Sequence, residues 1–247
     1  PPCVDSLVDA GISRAVIAIP DPDPRVDGTG IDRLRDAGIE VTEGVCKTEA
    51  SEMVAGFVRR VCFGRPLVTL KLATTLDGRI GTRIGASQWI TGLESRGFAH
   101  ALRARHDGVL VGARTAVVDN PNLTCRLAGL GDRSPVRIFL DGSDELPDSH
   151  DLIANASSIP TWVLTARVET DQRCTSMASH GVEIIHTAPT VNGGIDISDG
   201  LRALAGRGLN SVLVEGGGGL AASLLRARLV DRLVWFRAPM MIGADGI

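Results

Sequence analysis

The sequence is poor in aromatic residues, and this scarcity argues against one mode of binding. It contains no tyrosine, and aromatic residues make up only 3% of its 247 residues. Proteins that bind single-stranded nucleic acids stack the bases on aromatic side chains, so we do not expect such binding here. The apolar fraction is nevertheless 44%, which allows a substantial core built mainly from valine, leucine, isoleucine and alanine.

The chain also lacks a surplus of charge of either sign and any long apolar run. Its formal net charge is −3, and acidic and basic residues are mixed along the sequence. Without a basic block, neither nucleic acid nor a membrane surface is an expected partner. No apolar stretch reaches the roughly 18 residues that a membrane helix needs, and no signal peptide is visible.

The cysteines and histidines form no pattern typical of disulfides or of a metal site. The five cysteines are widely spaced and include no CxxC pair, so we expect free thiols and a cytoplasmic location. The five histidines are equally scattered, without the HxH or HxxxH spacing of metal ligands. We interpret them as ordinary surface or core residues.

Short apolar runs alternate with helical patterns along the whole chain. Gly64 and Pro66 interrupt this pattern, which predicts two domains, residues 1–64 and 65–247. The alternation predicts an α/β protein with a three-layer, mainly parallel sheet. Strands are predicted at residues 14–19, 39–43, 67–73, 107–111, 136–140, 161–164, 182–185, 211–214 and 233–237. Helices are predicted at residues 31–37, 49–63, 91–105, 112–118, 197–205 and 218–227.

Two local signals refine these predictions. A D-G turn is expected within residues 76–80. Thr91 and Glu94 have the spacing of a capping box, in which each side chain would bond to the other residue's backbone amide at the start of a helix.

A run of four glycines follows the predicted strand at 211–214. Glu215-Gly-Gly-Gly-Gly219 joins this strand to a helix, where backbone amides without side chains can hold a phosphate. The run is not GxGxxG, so by itself it is equally compatible with a flexible turn. Its position at the carboxyl end of a parallel strand favours a ligand site.

Three further segments carry polar groups that could be functional. Lys71 lies on an apolar strand and needs either a structural partner or a ligand anion. The SQWIT segment offers the Ser87 hydroxyl and the Trp89 ring ahead of a helix. Asp119 and Arg126 flank a proline turn after the 107–111 strand. Taken singly, each segment is more simply explained as a structural feature, such as a surface ion pair or a core tryptophan.

Taken together, these motifs resemble the reductase domain of the bifunctional deaminase/reductase of riboflavin biosynthesis. Four segments carry the resemblance in the same order and spacing: KLATTLDGRI, SQWIT, LRARHDGVLVGARTAVVDNPNLTCR and VEGGGGLAASLL. It spans residues 65–247. Residues 1–64 are similar to the back portion of the deaminase domain of the same family, including its DPDPRVDGTG loop.

The resemblance implies both a fold and a reaction. The fold would be similar to dihydrofolate reductase, preceded by the C-terminal part of a cytidine deaminase-like α/β domain. NADPH would reduce the ribosyl group of 5-amino-6-(5-phosphoribosylamino)uracil to a ribityl chain. This requires opening of the sugar ring and delivery of a proton to its oxygen or nitrogen. The family also suggests a homo-oligomer, a dimer or larger.

The resemblance further implies roles for individual residues. Lys71 and Asp119 match positions that support catalysis. The cofactor site would be lined by Ala73, Trp89, Thr115, Asp119, Gly217, Gly218, Gly219, Leu220, Ala221, Ala222 and Ser223. The substrate would contact Ser87, Arg103, Leu123, Arg126 and Glu215. Of these, the two arginines suit the substrate's phosphate, because a guanidinium pairs with phosphate oxygens in a bidentate manner. Arg114 and Arg167 are candidates for the 2′-phosphate of NADPH.

In the N-terminal part, Cys3 resembles the last zinc cysteine of the deaminase domain. The other ligands and the catalytic glutamate of such a site would lie before Pro1, and one thiolate cannot hold a catalytic zinc. We therefore expect zinc only in the intact deaminase domain, and no deaminase activity from this chain. The start at Pro1 resembles the middle of a larger protein, and the family normally continues past Ile247 with at least one more strand.

Three alternatives to the reductase remain open at this point. The activity could be that of the zinc deaminase of the preceding step, which a zinc analysis would reveal. The chain could be a catalytically silent remnant or assembly module, which would not bind NADPH. It could also reduce a different pterin- or pyrimidine-like substrate, because one fold often hosts several activities.

Overall fold

The computed structural model describes residues 3–23, 25–26, 28–83, 90–142 and 146–247. The chain divides into two compact units, Pro1–Arg65 and Pro66–Ile247. In the described part of the chain, no helix combines the length and the apolarity that are needed to cross a membrane.

The first unit is a small α/β arrangement around two parallel strands. Its elements are α1 (Cys3–Asp9), β1 (Arg14–Ile17), α2 (Thr29–Asp36), β2 (Glu40–Glu43), α3 (Lys47–Met53) and α4 (Ala55–Phe63). Val4, Leu34 and Ile39 form its buried core. The single helix predicted over 49–63 is in fact two, because the backbone leaves helical geometry at Val54, where φ is −103°.

The second unit is built on a seven-stranded sheet in which every described strand pair is parallel. Its strands are β3 (Leu67–Thr74), β4 (Gly108–Val111), β5 (Val136–Leu140), β6 (Thr161–Thr165), β7 (Glu183–His186), β8 (Ser211–Val214) and β9 (Arg232–Arg237). Across the sheet, the strands follow the order β7-β6-β5-β4-β8-β3-β9.

Helices cover both faces of this sheet and give it three layers. Alternate strand residues bury opposite faces, so Leu110 and Leu213, for example, belong to different core clusters. One face packs on α9 (Ile197–Gly206) and α10 (Gly218–Arg226). The other packs on α5 (Leu93–Arg103), α6 (Ala113–Asp119), α7 (Asp151–Ala154) and α8 (Gln172–Ser179). The predicted three-layer parallel architecture is confirmed.

Two helices of the second unit were not predicted, and one predicted cap is wrong. Helix α8 is largely polar and buries only Cys174 and Met177, so it gives a weak periodic signal. Helix α7 is only four residues long. Helix α5 begins one residue later than a cap at Thr91 requires. Gly92 takes the N-cap position without a side-chain hydrogen bond, so Thr91 and Glu94 form no capping box.

The predicted D-G turn is present and holds the last described residues of the chain. Gly78 adopts a φ of +79°, which suits a glycine, and its amide donates to Thr75. The Asp77 carboxylate accepts from the amides of Ile242 and Gly243. Hydrogen bonds from the Thr75 hydroxyl and these amides lower the pKa of Asp77 to about 2.

A fully buried arginine ties β5 to its neighbours. The Arg137 guanidinium donates to the Thr161 hydroxyl and to the carbonyls of Asp151, Leu152 and Ile159. Burial lowers its pKa to about 10, so the group stays charged at neutral pH.

We expect Arg137→Met to lower the free energy of unfolding by about 3 kcal/mol, because several buried acceptors lose their donor at once. Urea unfolding measures this loss. The matched control is Arg133→Met, at an exposed arginine nearby, for which the change should stay within about 0.5 kcal/mol. Equal losses in the two variants would contradict a special role for Arg137.

Candidate active site

The candidate site lies where the order of the strands reverses. After β3, the chain forms β4 and then adds β5, β6 and β7 in order toward one edge of the sheet. Strand β8 then lies between β4 and β3, and β9 pairs with the opposite side of β3 and forms the other edge. In open parallel sheets, such a switch point leaves a crevice at the carboxyl ends of the strands. Three predicted motifs meet here, since they lie on β3 or directly follow β4 and β8.

The glycine loop after β8 packs against the loop after β4. A Cβ on Gly216 would lie 2.8 Å from Leu220 Cδ2 and 3.3 Å from the backbone nitrogen of Gly112, so a side chain here would require its neighbours to shift. The Gly217 amide donates to the Thr115 hydroxyl at 3.1 Å. Two segments far apart in sequence, both predicted to line the cofactor site, are thus joined by a direct hydrogen bond.

The start of α10 presents free backbone donors next to this contact. Gly217, Gly218 and Gly219 are exposed, and no described residue accepts from the amides of Gly218 and Gly219. A Cβ on Gly219 would meet nothing within 4 Å, so the space beside it is open. Amides at a helix start attract anions, and this loop therefore fits a pyrophosphate group.

A buried ion pair forms the other side of the crevice. Arg103 on α5 donates to both carboxylate oxygens of Glu215, through Nε at 2.6 Å and Nη2 at 3.0 Å. Only 12% of the Arg103 side chain and 9% of the Glu215 side chain are exposed. The remaining Nη1 donates to the Thr124 carbonyl at 3.0 Å. Arg103 is therefore engaged through all three of its nitrogens.

Lys71 lies on the same face of the sheet as this ion pair. Leu70 of β3 is paired with Val214 of β8, so Lys71 and Glu215 each follow the last paired residue of adjacent strands. The Lys71 ammonium lies 5.8 Å from the centre of the Phe236 ring. No ion pair joins Lys71 to a carboxylate among the described residues. Ala73 lies two residues further along β3 and is paired with Phe236 of β9.

The loop after α6 carries Leu123 and Arg126. Asn120 and Leu123 have positive φ values, 39° and 60°, which turn the chain sharply. Leu123 is buried, with 2% of its surface exposed, and anchors the loop in the core. Arg126 is exposed, and its guanidinium has no acceptor among the described residues.

Asp119 ends helix α6, one turn after Thr115. Although the residue is exposed, partial desolvation of its carboxyl group raises its pKa. Desolvation favours the protonated form of a carboxyl group, so Asp119 holds a proton to higher pH than an ordinary aspartate does.

His100 and Thr124 belong to this cluster, although the sequence interpretation gave them no role. His100 Nδ1 lies 3.2 Å from both the Thr124 carbonyl and the Arg126 amide. Burial and the charges of Arg103 and Arg126 lower its pKa. The spacing of His100 and Arg103, one turn apart on α5, could have revealed the histidine. Thr124 acts through its carbonyl, which no side-chain pattern can reveal.

The other predicted positions are less informative. Ser87 and Trp89 lie outside the described residues. Leu220 and Ala221 point into the core from the first turns of α10, and Ser223 donates to the Gly219 carbonyl. Ala222 lies on the same helix.

The three remaining predicted cation and metal positions can also be placed. Arg167 is paired with Asp141 at 2.6 Å and with Asp171 at 3.3 Å, whereas Arg114, next to Thr115, is exposed. Cys3 is an exposed free thiol at the start of α1. Among the described residues, no group of three or more histidine, cysteine, aspartate or glutamate residues could hold a metal ion.

Known proteins resemble the chain along its whole length. Its sequence is 38% identical over 243 residues to the riboflavin biosynthesis protein RibD of Aquifex aeolicus, covering 98% of the chain and 66% of that protein. Its structure is similar to RibD of Acinetobacter baumannii, with a TM-score of 0.86 and 31% identity over 100% of this chain and 66% of that one.

A third relative carries a more explicit description. It is a diaminohydroxyphosphoribosylaminopyrimidine deaminase/5-amino-6-(5-phosphoribosylamino)uracil reductase from Thermotoga maritima, with a TM-score of 0.81 and 34% identity over 99% of this chain and 65% of that one. The chain thus spans about two thirds of the length of these relatives.

The family comparison covers the second unit from end to end. Residues 66–247 match the family described as the RibD C-terminal domain. The predicted resemblance and the predicted fold are both confirmed by these relatives. The chain therefore belongs to the RibD C-terminal domain family.

Proposed function

We propose that the chain is an NADPH-dependent reductase that converts the ribosyl group of 5-amino-6-(5-phosphoribosylamino)uracil to a ribityl chain. The observation that carries this proposal is the meeting of the glycine loop with the Arg103–Glu215 pair at the switch point of the sheet. One side of the crevice fits a dinucleotide, and the other offers fixed polar groups to a sugar phosphate. Membership of the RibD C-terminal domain family supports the choice of substrate.

The residues of the glycine loop fit the pyrophosphate of the cofactor. When bound, NADPH supplies the hydride for the reduction. The amides of Gly218 and Gly219 would hold its phosphates, and Thr115 keeps the loop in place through the Gly217 amide. With alanine in place of Gly217, the Cβ would lie 3.4 Å from Thr115 Oγ1. With alanine in place of Gly218, it would lie 3.4 Å from Ile80 Cδ1.

On the substrate side, the chain supplies hydrogen bonds, charge and a proton. Glu215 keeps free lone pairs beside Arg103 and can accept from a sugar hydroxyl. Arg126, with its free guanidinium, is the better clamp for the 5-phosphate, because Arg103 is engaged by Glu215 and Thr124. Asp119 relays the proton that ring opening requires, and Lys71 supplies positive charge near the reacting oxygen.

An assay of NADPH oxidation tests the proposal directly. The deaminated substrate, 5-amino-6-(5-phosphoribosylamino)uracil, should give turnover that its undeaminated precursor does not match. Binding of NADPH without turnover of either compound would favour a different substrate. No NADPH binding at all would favour a catalytically silent module.

Arg114 is our candidate for selecting NADPH over NADH. Arg114 is exposed and directly precedes Thr115, whose hydroxyl accepts from the Gly217 amide, whereas Arg167 is paired with two carboxylates. We expect Arg114→Ala to lower the preference for NADPH over NADH about tenfold, the loss of one charge-assisted contact to the 2′-phosphate. Titrating both cofactors measures the ratio of their dissociation constants. An unchanged ratio would remove Arg114 from cofactor selection.

Arg126→Ala should raise KM for the substrate roughly 10- to 100-fold, because a bidentate guanidinium–phosphate contact is lost. The affinity for NADPH should not change. Steady-state kinetics measures both parameters. Arg105→Ala, at an exposed arginine just beyond the end of α5, is the matched control. Retention of wild-type KM in Arg126→Ala would rule out the phosphate clamp.

The first unit is proposed to be the back portion of a deaminase domain. Cys3 is its one residue that matches a zinc ligand of that domain, and the thiol lies exposed. We expect substoichiometric zinc in the purified chain and no deamination of the precursor. Stoichiometric zinc in an elemental analysis would contradict this proposal.

A further inference from the structure

His100 lies between the substrate side of the crevice and the loop that carries Arg126. It projects from α5, one turn before Arg103, and its ring is partly buried. Its Nδ1 atom lies 3.2 Å from the Thr124 carbonyl, an acceptor, and 3.2 Å from the Arg126 amide, a donor. One ring nitrogen cannot donate to the first and accept from the second at the same time.

The other contacts decide which bond forms. The Thr124 carbonyl already accepts from Arg103 Nη1 at 3.0 Å, so it does not depend on the histidine. The Arg126 amide has no other acceptor among the described residues. The neutral tautomer with its proton on Nε2 therefore gives both the Thr124 carbonyl and the Arg126 amide a partner, because its Nδ1 lone pair faces the Arg126 amide.

We infer that His100 is a positioning residue for substrate binding. Its Nδ1 accepts a hydrogen bond from the Arg126 amide and so fixes the loop that carries Arg126. From this loop, the Arg126 guanidinium reaches the substrate phosphate. The effect of His100 on substrate binding rests on the proposed function, whereas the hydrogen bond from the Arg126 amide to His100 Nδ1 does not. Helix α5 thereby orients both sides of the substrate site. Arg103 holds Glu215, and His100 holds the backbone of Arg126.

Protonation of His100 would break this arrangement. The imidazolium carries a proton on Nδ1, which would then face the Arg126 amide donor to donor. Three charged groups act on the ring: Arg103 on α5, Arg126 on the loop and Glu215 at the end of β8. Burial and the two arginines outweigh the Thr124 carbonyl and Glu215, which act in the opposite direction, and so lower the pKa of His100. The neutral acceptor therefore persists below pH 6.5. Substrate affinity should fall only at pH values below this.

Two variants distinguish the effect of losing the hydrogen-bond acceptor from the effect of changing the side-chain volume. His100→Leu fills the space without an acceptor, whereas His100→Asn places an oxygen near the position of Nδ1 and does not titrate. We expect His100→Leu to raise KM for the deaminated substrate about tenfold, with kcat within about twofold of wild type, since one hydrogen bond is lost. His100→Asn should restore KM to near the wild-type value and remove its rise at low pH.

A second measurement does not depend on turnover. The ¹⁵N shifts of the His100 ring in the full chain should show the neutral tautomer protonated at Nε2, and the Arg126 amide should be protected from exchange. In His100→Leu, the Arg126 amide should exchange at least tenfold faster than in the wild type. In His100→Asn, its exchange rate should stay near the wild-type value. If wild type shows the bond but no turnover, the proposed function fails while the hydrogen bond stands.

Several results would overturn the inference. These are a ring protonated at Nδ1 in the neutral state, an Arg126 amide equally protected in His100→Leu, or an unchanged KM in that variant. His100→Asn behaving like His100→Leu would show that the acceptor is not what matters. A loss of kcat at constant KM would place His100 in the chemistry rather than in positioning. Should His100→Leu fail to fold, His100→Asn and the pH profile of KM still decide.

Discussion

Replacing Asp119 with asparagine is expected to lower kcat about 100-fold or more and to leave the melting temperature unchanged. Proton transfer by a positioned side chain contributes a factor of this size, and an amide cannot transfer the proton. Because desolvation raises the pKa of Asp119, the carboxyl group keeps its proton to higher pH than an ordinary aspartate. The wild-type kcat should therefore fall as the pH rises through this pKa. The kcat of the Asp119→Asn variant should not show this decrease.

The matched control is Asp132→Asn, which removes an exposed carboxylate from a short 3₁₀ segment (Gly131–Arg133) outside the crevice. It should change neither kcat nor the pH profile. Single-turnover kinetics would separate the chemical step from product release. Unchanged turnover in Asp119→Asn would remove this residue from the chemistry and leave proton delivery to Lys71 or water.

Most of the fold could be predicted because the sheet is buried on both faces. Strands Val136–Leu140 and Ser211–Val214 are mainly apolar, apart from Arg137 and Ser211, and their observed bounds equal the predicted ones. Elements with few buried residues could not be predicted in this way. Helix α8 buries two side chains, and the break at Val54 arises from backbone geometry that periodicity does not record.

The roles of the site residues stay a prediction, and their pairing could not be predicted. The glycine run and Glu215 stand out in the sequence because they follow a strand, whereas Arg103 and Thr115 are indicated only through the family resemblance. Nothing in the sequence indicates that Arg103 bonds to Glu215, because they lie 112 positions apart and the contact depends on the strand order. Because Glu215 and Thr124 engage Arg103, we propose Arg126 alone, rather than both arginines, as the phosphate clamp.

Replacing Arg103 with methionine is expected to lower the free energy of unfolding by about 3–5 kcal/mol and to abolish activity. The change leaves the Glu215 carboxylate, 9% exposed, without its counter-charge, and an uncompensated buried charge carries a cost of this size. Arg207→Met is the matched control. Its Nε–Oε1 distance to Glu183 is also 2.6 Å, but the Arg207 and Glu183 side chains are 37% and 46% exposed. The free energy of unfolding should therefore fall by less than about 1 kcal/mol.

The double variant Arg103→Met/Glu215→Leu distinguishes folding from function. Removing both charges removes the cost of the unpaired carboxylate, so most of the stability should return. Activity should not return, because the substrate would lose the acceptor at Glu215. Urea unfolding and the NADPH oxidation assay report the two effects separately. If the double variant regained activity together with stability, the ion pair would be structural support alone, and the sugar hydroxyls would have to be bound elsewhere in the crevice.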